Sequence, residues 1–360
     1  MIMRYDFISE YYIKEIKDIY ELTSGQNRYL EIEDIYNRII LLISAVSQKD
    51  LKIYAQTGVT KRKSELKGKG GIKLLLHDKA EYNNYIKSQC QIMKTLNINT
   101  NIDNIDILPK SSFYINIKFT LKTPYISNDD VPFYIIDNPI KKEHIFKIPM
   151  VTASSWKGNL RWTMMKQLEM DSLNDKEFAE RRFRLSLLFG TEKGIDENKG
   201  FAEYMKMLRP SADIIYKNKL KEYFNTTYTR FEGRLRFYPT YFDKIDLMII
   251  NPHDRVTKTG IKPIYIECVP ERAKGEFSLL YIPIDLIGRD VKMEEEIEKD
   301  LKLVSEGIRD MLCKYGFSAK KSSGFGIVEK IENNDIVVKP ENLKCKVTKI
   351  LSDNNEQYRT

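Results

Sequence analysis

No apolar run in this 360-residue chain reaches the roughly 18 residues that a membrane-spanning helix needs. The opening Met1-Ile2-Met3-Arg4-Tyr5-Asp6 has no signal-peptide pattern, so a cytoplasmic protein without membrane contact is expected. Cysteine is scarce: Cys90, Cys268, Cys313 and Cys345 lie far apart with no C-x-x-C pair, which signals neither a disulfide framework nor a zinc site. The three histidines, His77, His144 and His253, are isolated as well, which speaks against a His-built metal site or catalytic triad. The G-x-x-x-x-G-K-[ST] order of a Walker loop is missing. Charge of one sign is not abundant either. Lys and Arg number 59 against 51 Asp and Glu, a net charge of +8 that permits a polyanionic partner without demanding one.

What is present fits a folded, strand-rich chain: 42% hydrophobic residues, with 22 Tyr and 16 Phe. The length suits two modest domains or one core with large insertions. Residues 1–110 read as a helical extension. Apolar residues recur at helical spacing over Glu10–Leu22, Ile32–Ile53 and Asp78–Leu96. Between the last two lies the basic, Gly-rich stretch Thr60–Gly71, either a contact for a phosphate backbone or a solvated linker.

After Pro109 the period changes. Phe113, Ile115, Ile117, Phe119 and Leu121 alternate with polar residues, which predicts a strand ending at Thr123-Pro124. Pro149 keeps Ile148 extended, and Ser154 or Ser155 can cap the helix that follows. Trp156, Leu160, Met164 and Leu168 then form one apolar stripe, while Lys157 and Arg161 share another face at i and i+4. Two like charges beside a positive helix end suit an anion, or else form a solvated basic face. A second helix is expected over Asp175–Leu188, closed by Gly190. Further strands are expected over Gly233–Pro239, Leu247–Ile250, Ile264–Val269 and Phe277–Ile282. A helix is expected over Met293–Tyr315 and a closing strand over Ile327–Ile331, which leaves residues 336–360 as a tail. Strand, helix, two strands, helix and strand is the order of a ferredoxin-like fold, here for a core of residues 111–335.

The loop before the expected closing strand, Ser318–Gly326, combines Lys320, Lys321, Ser322 and Ser323 with Gly324 and Gly326. Such a turn lets backbone N–H groups approach an anion, and its side chains suit phosphate. In the ferredoxin-like order it can lie near the start of the first helix. Single-stranded RNA would suit the combined surface.

These residues carry a resemblance. Leu121-Lys122-Thr123-Pro124, Ile148-Pro149 through Ser154-Ser155-Trp156-Lys157-Gly158-Asn159-Leu160-Arg161, Leu187-Leu188-Phe189-Gly190 and Gly316–Gly326 resemble, in order, the motifs of the RAMP superfamily of CRISPR-associated RNA-binding proteins. Within it the chain is similar to subunits of type III (Csm/Cmr) effector complexes. The signature's usual Gly is replaced by Thr152-Ala153, and Trp156 stands where Leu is common. The resemblance implies an α+β, ferredoxin-like (RRM-like) core with insertions behind an N-terminal helical extension. Its implied partners are a guide RNA (crRNA), complementary target RNA and other RAMP subunits, in antiviral defence.

On activity the resemblance points two ways. Ile136-Asp137-Asn138-Pro139-Ile140 resembles the segment holding the Asp that promotes target-RNA cleavage in backbone subunits, so Asp137 is the candidate catalytic residue. A divalent metal (Mg or Mn) is implied only in that case. Otherwise Asp137 is an ordinary turn residue before Asn-Pro, and Asp129 and Asp130 are weaker candidates in the same loop. The helical extension, the form of the Gly-rich loop and Asn251-Pro252-His253-Asp254-Arg255 look more like the subunit that caps the guide's 3′ end, which holds RNA and does not cut. On that resemblance His253 and Arg255 join Ser154, Ser155, Lys157, Arg161, Lys320, Lys321, Ser322, Ser323, Gly324 and Gly326 as expected RNA contacts. A guide-processing nuclease with a His base has no His beside the loop. A protein-interaction module with incidental RNA contact is the remaining reading.

Overall fold

The computed structural model describes residues 6–58, 69–98, 102, 104–131, 134–170, 172–192, 200–224, 230–251, 264–289 and 292–352. The extension contains α1 (Ile16–Ser24), α2 (Ile35–Val46), α3 (Lys49–Thr57) and α4 (Glu81–Thr95). The periodic stretch expected as one helix over Ile32–Ile53 is therefore two. Ser47 is the C-cap of the first and Gln48 the N-cap of the second, so the break falls between two turns that each bury an apolar face.

Strand β1 (Phe113–Thr120) opens the core. After it come β2 (Met150–Val151), α5 (Ala153–Met170), α6 (Asp175–Phe189), α7 (Gly200–Leu208) and α8 (Pro210–Phe224). Then follow β3 (Leu235–Phe237), β4 (Thr240–Tyr241), β5 (Asp246–Ile250), β6 (Ile264–Cys268) and β7 (Lys274–Tyr281). The last elements among the described residues are α9 (Met293–Asp310), β8 (Ile336–Lys339) and α10 (Lys344–Ser352). The main sheet has the order β3-β7-β1-β8 with every neighbour antiparallel. Helix α5 connects β1 to β3, and α9 connects β7 to β8. This is the ferredoxin-like β-α-β-β-α-β order with insertions, an α+β core.

The closing strand is a correction. Residues Ile327–Ile331 form no strand but a single bridge, Val328 to Leu121, with Lys122 N–H donating to the Ile327 carbonyl at 2.8 Å. They are held by the end of β1, where the sheet has already run out. The fourth strand is Ile336–Lys339, in the stretch expected as a tail. Ile336 and Val338 point into the core and Val337 outward, an alternation of only four residues. Helix α10 then buries Val347 and Leu351 against that core.

The two crossover helices lie in close contact. A Cβ on Gly307 of α9 would come within 2.6 Å of Met164 Cγ and 3.1 Å of Leu160 Cδ1 on α5. Beside them Asp300 is fully buried, yet it accepts from Arg184 Nη1 (2.8 Å), Arg234 Nη1 (2.7 Å) and Tyr281 Oη (2.7 Å). One carboxylate thus joins α6, the entry to β3, β7 and α9. Arg234 also grips Asp285 through Nε and Nη2.

The N-terminal helices pack on this core. Tyr82 Oη donates to the Lys147 carbonyl at 2.9 Å, and Ile245 N–H donates to Asn83 Oδ1 at 2.8 Å. Gln56 Nε2 donates to the Ile135 carbonyl at 2.7 Å, and His77 Nδ1 lies 2.7 Å from Asp246 Oδ1. Buried apolar residues of the extension and of the core form one continuous cluster.

Candidate nucleic-acid interface

Helix α5 begins where β2 pairs with β4. Its cap is Thr152, not Ser154 or Ser155. The Thr152 carbonyl accepts from Trp156 N–H at 3.0 Å, and its Oγ1 accepts from Ser155 N–H at 3.1 Å. The two serines sit inside the first turn, exposed, with hydroxyls 2.9 and 2.8 Å from Thr152 Oγ1. The helix starts at Ala153, one residue after Thr152 and ahead of both serines.

Trp156 is fully buried and fixes this helix end from below. Its Nε1 donates to Thr240 Oγ1 at 2.9 Å, and its ring lies 4.5 Å from Phe317 and 4.9 Å from Phe277. Phe317 opens the Gly-rich loop, so the signature helix and the loop share one aromatic cluster with Phe119, Phe242 and Tyr125. Asn159 strengthens the junction, its Nδ2 donating to the Ser155 and Phe317 carbonyls at 2.9 and 3.1 Å.

The loop itself is tightly built. Ser318 Oγ donates to the Ile126 carbonyl at 2.9 Å and accepts from Ile126 N–H at 2.8 Å; Gly326 N–H donates to the Pro124 carbonyl at 2.9 Å. Thr123 Oγ1 accepts from Ile327 N–H at 2.9 Å. The Leu121–Pro124 motif is thus the seat of the loop. Gly316 and Gly326 have φ of +73° and +75°, and a Cβ on either would meet backbone or Ser318 at 2.4–2.7 Å, so no larger residue fits. Gly324, at φ +77°, has open space beside it, and Lys320, Ser322 and Ser323 are exposed. Lys321 folds back over Trp162 of α5, its Nζ 4.1 Å from the ring centroid.

The Asn159–Phe317 and Lys321–Trp162 contacts bring the loop residues Lys320, Lys321, Ser322, Ser323, Gly324 and Gly326 beside the start of α5, which carries Ser154 and Ser155. Lys157 and Arg161 lie on another flank of that helix, Lys157 beside Glu232 and Arg236 and Arg161 beside Glu192 and Tyr216. His253 and Arg255 lie outside the described residues, as does most of the Thr60–Gly71 stretch. Arg161 Cζ lies 4.1 Å from the Phe201 centroid on α7. Burial lowers the pKa of Lys157, and the neighbouring guanidinium groups of Arg161 and Arg236 lower it further; burial likewise lowers those of Arg161 and Lys321. Glu232 beside Lys157 and Glu192 beside Arg161 oppose these shifts, and Arg236 pairs with Glu232 at 2.8 Å, so the cations of this flank are partly balanced within the chain.

Four contributors were not among the expected residues: Thr152, Gly158, Asn159 and Arg236. Gly158 is the most informative. It sits inside a helix, where glycine costs about 1 kcal/mol relative to alanine, yet an added Cβ would meet nothing within 4 Å. No packing of this fold requires glycine there. Its place in the motif, with Ser154, Ser155, Arg161 and Trp162 three and four residues away, was the available signal.

Asp137 is 63% exposed and pairs with Lys52 Nζ of α3 at 2.9 Å. Its segment is pinned on the other side by buried Glu267, which accepts from Tyr134 Oη, Ile140 N–H and Lys142 Nζ. Asp129 accepts from Lys141 Nζ at 2.7 Å, and Asp130 is exposed. Among the described residues no three His, Cys, Asp or Glu side chains gather as a metal-binding group. The donor set at Asp137 is one carboxylate engaged by an ammonium, which does not by itself fit a protein-held divalent ion.

Residues 118–329 match the family model of the RAMP superfamily. A curated relative, the CRISPR system Cms endoribonuclease Csm3 of Streptococcus thermophilus, is 25% identical over 193 residues, 54% of this chain and 74% of that protein. Similar solved structures include a chain of the type III-B Cmr-β bound to cognate target RNA. It has TM-score 0.42 and 14% identity, with 88% of this chain and 98% of that one covered. Another is Cmr6 from Pyrococcus furiosus, with TM-score 0.30 and 17% identity, covering 63% and 98%.

Proposed function

The chain belongs to the RAMP superfamily, and on that footing we propose that it is a guide-RNA-binding subunit of a type III CRISPR effector complex. Its role is to hold RNA, in the manner of a structural or 3′-end capping subunit. The relative named as an endoribonuclease of a CRISPR system supports the type of complex. The observation that carries the RNA reading is the junction of signature helix and Gly-rich loop. Asn159 bonds the Phe317 carbonyl, and Ser154, Ser155, Lys320, Ser322 and Ser323 stand exposed around it.

Derived from these residues, binding proceeds through the backbone of the strand. Phosphate oxygens accept from serine hydroxyls and loop N–H groups and offset the crowded ammonium and guanidinium charges. Such contacts are sequence-independent, as a subunit that carries guides of different sequence requires. The test is fluorescence anisotropy of the full chain with labelled single-stranded RNA. Charge reversal at Lys157, Arg161 and Lys321 together is expected to abolish binding at moderate salt. Unchanged affinity would overturn the reading.

A second reading, cleavage of target RNA through Asp137, is favoured by the name of the Csm3 relative and by the exposure of that side chain. The Lys52 pair argues for a positioning role instead, holding the insertion against α3. Assembled complex carrying Asp137→Ala decides between them: loss of cleavage products with RNA binding intact would make Asp137 the cutting residue. A protein-interaction module is the third reading, and salt-insensitive assembly with other RAMP subunits in the absence of RNA would favour it.

A further inference from the structure

Trp162 lies on the face of α5 turned towards the Gly-rich loop, one turn beyond Gly158 and two beyond Ser155. It is partly buried, with Tyr315 edge-on to its ring at 5.3 Å and 88°, while Lys321 from the loop lies over its face at 4.1 Å. The Tyr315 contact holds the indole's orientation, and the tip of one flexible side chain, Lys321, lies across its face. Among the described residues no carboxylate pairs with Lys321, whose ammonium is held only by the ring. A phosphate bound at Lys320–Ser323 would compete for that ammonium directly, because a full negative charge attracts it more strongly than an aromatic face does.

We propose that Trp162 is a nucleobase-stacking platform, covered by Lys321 in the free protein and uncovered when a phosphate of single-stranded RNA draws that side chain into the loop. The inference rests on the reading of the loop as a backbone contact and adds a base subsite to it. Every base has a π-face, so stacking adds affinity without reading sequence. The open floor at Gly158 gives the strand room to pass between the serines and the indole.

The experiment uses the tryptophan content of the chain. There are two tryptophans, and Trp156 is fully buried, so a change in indole emission on binding reports Trp162. The full-length protein is titrated with a short oligouridylate and with an abasic ribose-phosphate oligomer of equal length, and anisotropy is followed in parallel. The expected result is saturable quenching by the oligouridylate at the midpoint of its binding curve, well beyond the smaller change that the abasic oligomer causes by drawing Lys321 off the ring. Trp162→Leu should bind the oligouridylate about ten-fold more weakly and the abasic oligomer as the native chain does, with Trp162→Phe in between. Binding of RNA with emission unchanged overturns the platform and leaves the backbone reading standing, as does equal quenching by both oligomers. Failure of both oligomers to bind overturns the backbone reading and the platform with it. The titration of the native chain requires no substitution, so a variant that does not fold leaves the test intact.

Discussion

At the residue scale, Gly158 and Lys157 separate what the fold needs from what a ligand needs. Gly158→Ala is expected to raise stability by roughly 0.5–1 kcal/mol, because glycine is the poorer helix former and the new methyl meets nothing. The same methyl stands in the floor of the proposed RNA path, so affinity should fall several-fold. Opposite movement of the melting temperature and the anisotropy midpoint is the signature to look for; parallel movement would make Gly158 merely a folding residue. Lys157 offers a pH test. Burial and the Arg161 and Arg236 charges hold its pKa below the ordinary lysine value. In the folded chain its charge is disfavoured, a cost present at neutral pH and relieved as pH rises through the lowered folded pKa. RNA needs that charge, so affinity should decline with rising pH ahead of an ordinary lysine, and Lys157→Arg should push the decline to higher pH. Superimposable profiles would remove Lys157 from the contact. Both residues were visible in the motif, the lysine as half of an i,i+4 basic pair. That Arg161 lies over Phe201 was not, since α7 reaches it from an insertion that no local pattern positions.

At the scale of elements, the ferredoxin-like order could be read from alternation in the strand after Pro109 and helical spacing in Met293–Tyr315; the strand stands at Phe113–Thr120, and the helix is α to Asp310 with a π turn over Met311–Tyr315. The fourth strand could not. Ile327–Ile331 and Ile336–Lys339 both alternate over a few residues, and only register with β1 distinguishes them: β8 pairs Tyr114 to Lys339 through Ile117 to Ile336. The buried charges were equally hidden, because Arg184, Arg234 and Asp300 look like solvated helix and strand residues until the elements meet. Their prediction is the largest in stability. Asp300→Ala removes the shared acceptor of two arginines and Tyr281 and leaves two buried guanidinium groups without it. A loss of about 3–5 kcal/mol is expected in urea unfolding. Asn159→Ala is smaller, about 1–2 kcal/mol for the lost bonds to the Ser155 and Phe317 carbonyls. It should show first as faster amide exchange in the 316–326 loop rather than as global unfolding.

At the scale of the whole molecule, the extension and the core are joined through the segment that carries Asp137. Gln56 and Lys52 hold it from α3, and Glu267 and Lys142 hold it from β6 and the insertion itself. Sequence alone left open whether the helices packed on this core, because amphipathic faces do not name their partners. The arrangement separates two functions by their response to salt. If the chain holds RNA by its backbone, the logarithm of affinity should fall linearly with the logarithm of salt concentration. Each neutralised phosphate adds about 0.7 to the slope for a single strand. Lys157→Ala and Lys321→Ala should each lower that slope by about this amount while leaving the preference among RNA sequences unchanged. Asp137→Ala, at the far side of an exposed pair with Lys52, should leave slope and affinity where they are and cost well under about 1 kcal/mol of stability. A slope that stays constant in the lysine variants would mean that these side chains meet no phosphate. In that case the basic helix and its loop serve protein contacts, and the interaction-module reading takes the place of the RNA clamp.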